Sequence, residues 1–158
     1  MHPNDVPQPS RQPLQGCRVI ERSHTVAAAY AGRMLAAMGA DVVMLEAPGG
    51  TPLRKAPPLL EPSGESALFA YLAVGKRSLV CDLATEQGAR DLDAVLANAD
   101  ILLDDTPVHL RPAHGLEPAA LANRFPALVH VSVLPFGAVG PKAGWDGEEV
   151  TLLHAGGE

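Results

Sequence analysis

Residues 17–50 read CRVIERSHTVAAAYAGRMLAAMGADVVMLEAPGG: a short apolar run, a polar turn, a helical pattern, a second apolar run and a glycine pair. No other stretch constrains the fold as strongly. Two strands joined by a helix cannot form a hairpin, so they lie parallel in one sheet with a right-handed crossover. Ser23 is placed to cap the helix, Gly39 stands where a C-terminal cap glycine belongs, and residues 41–45 make the second strand. The same alternation continues. A short helix is expected over residues 66–74, followed by the strand RSLVCDL and the helix TEQGARDLDAVLANA, which opens on Thr85 as N-cap and shows one apolar face. The strand DILLDD, a helix from Pro118 to Arg124 and the strand ALVHVSVL follow. Five strands alternating with helices predict an α/β fold, a Rossmann-like, mostly parallel sheet covered by helices, with ligands beyond the strand C-termini. The proline- and glycine-rich segment APGGTPLRKAPPLLEPSGE is expected to hold no regular structure.

A nucleotide-binding unit of this kind usually carries glycines in its first turn, so that a phosphate can approach the backbone at the helix N-terminus. Here that turn is SHTVAAAY, without a glycine. The rest of the composition narrows the partners. The 158 residues, 47% hydrophobic, suit one domain with an ordinary core. A net charge of −6, with no basic cluster longer than Lys76-Arg77, argues against nucleic acid and anionic membrane as partners. Cys17 and Cys81 lie in apolar runs without the spacing of a metal site, which predicts buried free thiols in a cytoplasmic protein and no metal. Residues 1–15 hold four prolines and no apolar run, so they read as a disordered tail preceding a domain over residues 16–158, and as neither a signal peptide nor a membrane span.

Some polar groups admit two readings. His24 lies at a strand-to-helix turn, as a ligand contact or as a cap or exposed turn residue. Asp104 and Asp105 could pair for acid–base work or a metal, but adjacent residues at a strand end point apart, which favours a solvated terminus. Lys76 and Arg77 could grip phosphate; surface charge is the plainer expectation. Trp145, in the acidic turn GWDGEE, could anchor an interface or stack on a base, and HAGGE could be a hinge or a helix stop.

Three segments in order carry a resemblance. LAAMGADVVMLEAPGG resembles LADLGAEVIKVEPPGG, GKRSLVCDLATEQG resembles NKRSIALDLKSPEG, and NRFPALVHVSVLPFGAVGP resembles NPRLVYVSISGFGQTGP. These are segments of the family III CoA-transferases, the CaiB/BaiF family, and the resemblance runs from Gly16 to the end of the chain. It implies the N-terminal part of that family's large domain, with an acyl-CoA and a carboxylic acid as substrates and an aspartate nucleophile. In register, that aspartate falls about twenty residues beyond the segment resembling EEVTLLHAGG. It is therefore expected outside this chain, and the chain alone is expected to be inactive.

The resemblance places the coenzyme A contacts at Val26 and Ala27 in the first turn, at Ala47, at Asp82 and Leu83 with their neighbours Cys81 and Ala84, at Asp105 and Thr106 before Pro107, and at Asp146. Where the family carries basic residues, this chain has Ala47, Ala84, Ala113 and Asp146. Coenzyme A carries about four negative charges, and each charge-assisted contact contributes roughly 1.5 to 3 kcal/mol, so its binding is expected to be weak or lost. The alternative implied by the same substitutions is a degenerate, non-catalytic half or subunit that scaffolds an active partner. The helix TVAAAYAGRMLAAM is more apolar than one solvated face requires, which points to a homo-oligomer or a partner subunit.

Overall fold

A computed structural model describes residues 12–157. Five strands form one parallel sheet: β1 (Arg18–Arg22), β2 (Asp41–Glu46), β5 (Lys76–Val80), β6 (Ile101–Asp104) and β7 (Val129–Ser132), in the order β5-β2-β1-β6-β7. The register sets Ile20 beside Val43 on one side and Leu102 on the other. Between them run the helices α1 (Val26–Ala37), α2 (Ala67–Leu72), α3 (Glu86–Leu96) and α4 (Pro118–Arg124), and α5 (Glu149–Gly156) follows the last strand. By position in the sheet, the strand order reverses between β1 and β6, and this places the crevice of a doubly wound fold beyond the ends of those two strands.

The helix ends follow from local chemistry. Thr25, not Ser23, caps α1, accepting a hydrogen bond from the Ala28 N–H. The Ser23 hydroxyl turns back to the Glu21 carboxylate instead. At the other end Gly39, at φ 97°, bonds Ala36 O while Ala40 N–H reaches Leu35 O, so the last carbonyls of the helix are satisfied by a left-handed cap. Thr85 caps α3 through the Gly88 N–H, and Gly88, Leu92 and Leu96 form its buried face.

The core lies on both faces of the sheet. Ile20, Leu45 and Leu102 pack with Leu92, Leu96, Leu116 and Leu121 on one side. Val19, Val42 and Leu103 pack under α1 on the other. Leu14 joins this second cluster, and its N–H bonds Met38 O, so residues 12–15 belong to the folded unit rather than to a tail; residues 1–11 lie outside the described residues. The proline-rich segment does hold regular structure. Pro52–Lys55 forms a 3-10 helix, and the two-residue strands β3 (Leu59–Leu60) and β4 (Glu65–Ser66) pair antiparallel. Prolines at its ends are compatible with both, since a 3-10 start needs no N–H and short edge strands tolerate missing donors. Cys81 is buried beyond the end of β5, whereas Cys17 is only partly buried; both are free thiols. Among the described residues no helix is long and apolar enough to cross a membrane.

Lys76 departs most from its expected place. It is the first residue of β5, and its side chain, like that of Glu21, is wholly buried. The Lys76 ammonium lies 2.6 Å from Glu21 Oε2 and donates to Ala29 O at 2.7 Å. Burial pushes the Glu21 carboxyl up and the Lys76 ammonium down, and their contact opposes both shifts. Gly32 makes this possible. A Cβ there would stand 1.7 Å from Glu21 Oε2 and 3.2 Å from Lys76 Nζ, so only glycine lets α1 close over the pair. Arg77, one residue on, is exposed and pairs with Asp41 as a surface charge.

Candidate functional site

The C-terminal ends of the strands bring together the side chains that sequence separates. Beyond β6 the chain turns so that Asp104, Asp105 and Thr106 are all buried. Asp105 reaches across to the turn after β1. Its Oδ2 accepts the backbone N–H groups of His24 and Thr25, both at 2.7 Å, and its Oδ1 accepts from His24 Nδ1 at 2.9 Å. A carboxylate has no proton to give, so the His24 tautomer in this contact carries hydrogen on Nδ1. Burial opposes the charge on Asp105, but the donors from His24 and Thr25 outweigh it and hold the carboxyl below its ordinary range. Asp105 thus occupies with its own oxygen the two backbone donors that lead into α1, next to where a bound phosphate would sit in a nucleotide-binding unit.

Asp104 is equally enclosed. Thr106 donates to it through both N–H and hydroxyl, Arg111 stands 3.3 Å from its Oδ2, and His130 Nε2 is at 3.5 Å. Arg111 is itself buried and donates to Thr106 O. The expectation of a solvated Asp104-Asp105 terminus is therefore corrected. β6 lies next to β1, so its end abuts the N-terminal turn of α1 instead of water.

At the end of β2, Glu46 accepts from Arg54 Nε and Nη2, both at 2.7 Å, from Ser78 Oγ at 2.6 Å and from Thr51 N–H at 3.0 Å. The Arg54 guanidinium is the largest cause holding its pKa at about 2, below the ordinary 4.5. Because this pKa is depressed on folding, the clamp contributes stability above the unfolded pKa and loses it as pH falls toward 2. Arg54→Met is expected to cost about 2 kcal/mol at neutral pH, with the difference from the parent shrinking below about pH 4. Urea midpoints at several pH values test this; a gap that stays constant into acid excludes the carboxylate as its source.

Between the ends of β1, β2 and β5 lies a cleft of about 90 Å³. Its wall includes Arg22, His24, Ala47, Asp82, Leu83, Ala84 and His114. Of the residues singled out from the sequence, the structure brings Asp82 and Leu83 into this cleft. Val26 and Ala27 stand exposed on the first turn of α1 and do not line it, while Asp105 and Thr106 are buried beside it. Asp146 lies elsewhere, with Trp145, in a separate hollow of about 300 Å³ between the segments after β6 and β7. Sequence reasoning passed over Arg22 and His114. The rule that ligands collect at strand C-termini points to Arg22, the last residue of β1; nothing local marks His114. Arg22 is partly buried and donates to the Thr106 hydroxyl. Burial lowers its pKa, and Asp104 and Asp105 oppose that shift. Among the described residues no group of three His, Cys, Asp or Glu side chains could hold a metal ion.

Residues 14–157 match the family described as CoA-transferase family III. The chain belongs to that family. Similar proteins include a succinate–glutarate CoA-transferase of Agrobacterium fabrum, 37% identical over 97% of this chain and 40% of its own length. A cinnamoyl-CoA:phenyllactate CoA-transferase of Clostridium sporogenes is 34% identical over 91% of this chain and 36% of its own. A solved CaiB/BaiF family protein from Brucella suis superposes with a TM-score of 0.85 at 31% identity, covering 93% of this chain and 40% of that one. The chain thus spans about two fifths of the length of these relatives. Over that span the fold is that of the family's N-terminal region.

Proposed function

We propose that this chain forms the coenzyme-facing sheet of a family III CoA-transferase, exchanging coenzyme A between an acyl-CoA and a carboxylic acid, with the nucleophilic aspartate supplied from outside these 158 residues. The observation that carries this reading is the state of the carboxylates at the strand ends. Glu46, Asp104 and Asp105 are buried and each is held by its own neighbours, so none of these three is free to attack a thioester, and Asp82 is left to the trapping experiment below. The family relationship supports the reaction class, and the cleft beside Asp82 and Leu83 supports an approach of the coenzyme from that side. Val26 and Ala27 would meet it through their backbone, since the first N–H groups of a helix have no internal partner.

The alternative, a non-catalytic scaffold for an active partner, draws its support from Asp105, whose carboxylate already takes the N–H groups of His24 and Thr25 just ahead of α1. Both readings predict weak binding at neutral pH. Calorimetry is expected to give no dissociation constant for coenzyme A tighter than about 100 μM, roughly −5.5 kcal/mol. A micromolar value at physiological salt would show that the missing cations do not matter. Hydroxylamine trapping with succinyl-CoA or formyl-CoA is expected to leave no modified aspartate within residues 1–158. A trapped aspartate there would overturn the external nucleophile.

The proposal extends to assembly in the cytoplasm. Val26, Tyr30 and Met34 on α1 and Met38 at its C-cap follow one another at intervals of four and are each 37–46% exposed, with exposed Tyr71 against Arg33 of the same helix. Such a stripe on one helix face supports burial against a second copy or a partner subunit. Light scattering is expected to show a species larger than the 16.5 kDa monomer. A monodisperse monomer at high concentration, with no partner co-purifying, would refute it.

A further inference from the structure

Three basic side chains from two parts of the sequence meet in the cleft: Arg22 at the end of β1 with His24 in the next turn, and His114 in the segment after β6. We propose that they form an oxyanion subsite that takes a phosphoryl group of coenzyme A, with uptake of a proton on His114, and that they substitute for basic residues at positions 47, 84 and 113, where this chain has alanine. This inference rests on the reading of the chain as the coenzyme-facing sheet.

An unmet polar group marks the place. His114 Nδ1 is buried and has no hydrogen-bond partner, although its ring lines the cleft. Leaving such a group unpaired is costly, and a ligand oxygen in the cleft would relieve it. Charge points the same way. Glu46 pairs with Arg54 and Asp104 with Arg111, while Asp105, which holds His24, and Asp82 stand against the single charge of Arg22. With neutral imidazoles the sum is one negative charge. A proton on His114 brings the sum to zero, so its uptake removes the cleft's net repulsion of an anion. The size also fits. A cleft of about 90 Å³ has room for several waters and hence for a phosphoryl group, while the remainder of a coenzyme would lie outside it.

His114 is held below its ordinary pKa by burial first, then by Arg22 and His24, with Asp104 opposing. Glu46 and Asp82 face it across the cleft, and Arg111 and Arg124 flank its own segment, Arg124 donating to Gly115 O. An oxyanion placed among these groups favours imidazolium, so the His114 pKa rises on binding. By linkage the affinity then rises as pH falls through the histidine range and levels off once His114 is protonated in the free protein too.

The test is an NMR titration of the histidine rings of the whole chain, with the His114 signal identified by its loss in His114→Gln. Coenzyme A and inorganic pyrophosphate are titrated in parallel between about pH 5.5 and pH 7.5. Coenzyme A is expected to bind at least about fivefold more tightly at the lower pH, and to move the His114 midpoint upward. His114→Gln is expected to reduce that pH dependence to less than about twofold, and Arg22→Gln to weaken binding at both pH values. Should coenzyme A bind equally at both and leave His114 unmoved, the subsite is wrong while the coenzyme reading survives. If pyrophosphate moves the His114 midpoint and coenzyme A does not bind, the subsite stands and the coenzyme reading fails. No response to either up to about 10 mM overturns both.

Discussion

Lys76→Met is expected to destabilise the fold by about 3 to 5 kcal/mol, among the largest effects any single substitution here should have. The reason is what remains. Glu21 would keep its carboxylate beneath α1, wholly buried, with only the Ser23 hydroxyl to hold it, and Ala29 O would lose its donor. The protein can escape part of the cost by protonating Glu21, whose pKa burial already raises. A carboxyl whose folded pKa is raised favours the folded state below its unfolded pKa and loses that advantage as pH rises toward the folded value. The deficit of Lys76→Met should therefore shrink in acid, here because the variant recovers by protonating Glu21, whereas at Glu46 the parent loses its clamp. A Glu21→Met/Lys76→Met double variant removes both charges at similar volume and is expected to recover most of the loss, within about 1 kcal/mol of the parent. Urea denaturation of the three proteins at neutral pH decides it. A single-variant loss under about 1 kcal/mol would mean that the pair is not desolvated as its burial implies.

Much of the scaffold was legible because it is written locally. Gly39 and Thr85 mark helix ends by chemistry acting over a few residues, and the Pro118 start of α4 needs only a proline where no N–H is required. The five strands are apolar runs, and their alternation with helices leaves few topologies. What was not legible depends on neighbours far apart in the chain. Lys76 reads as surface charge because nothing near it in sequence is acidic; its partner arrives from β1, through the pairing of β2 with both β1 and β5. Asp105 reads as a strand terminus in water for the same reason, and becomes a cap on another element only when β6 settles beside β1. The family resemblance works position by position and so weighs the basic residues absent from Ala47, Ala84 and Ala113. It is blind to Arg22 and His114, which reach the same cleft from other positions.

The cleft wall itself hangs on one glycine, and Gly88→Ala is the second substitution with a large expected effect. In an exposed helix this change stabilises by about 1 kcal/mol, since alanine loses less conformational freedom on folding. At position 88 the sign reverses. A Cβ would stand 1.8 Å from Asp82 O and 2.4 Å from Asp82 C, and those atoms are backbone, which cannot turn aside as a side chain can. Gly88 N–H is also the donor to Thr85 Oγ1 that caps α3, and Gly88 O accepts from Cys81 Sγ, so the helix start is tied at this point to the segment it would have to leave. Overpacking of this kind costs typically 1 to 3 kcal/mol and sometimes more, and with the helix gain subtracted a net loss of about 2 kcal/mol or more is expected. Gly156, the last residue of α5, has nothing within 4 Å of its would-be Cβ and serves as the control: Gly156→Ala should be neutral or stabilising by up to about 1 kcal/mol. If relaxation instead moves residues 82–84 outward, the wall formed by Asp82, Leu83 and Ala84 moves with them. Denaturant midpoints for the two variants, read beside amide exchange in residues 81–85, separate these outcomes. A Gly88→Ala protein as stable as Gly156→Ala, with exchange unchanged, would show that α3 does not press against the backbone of the cleft.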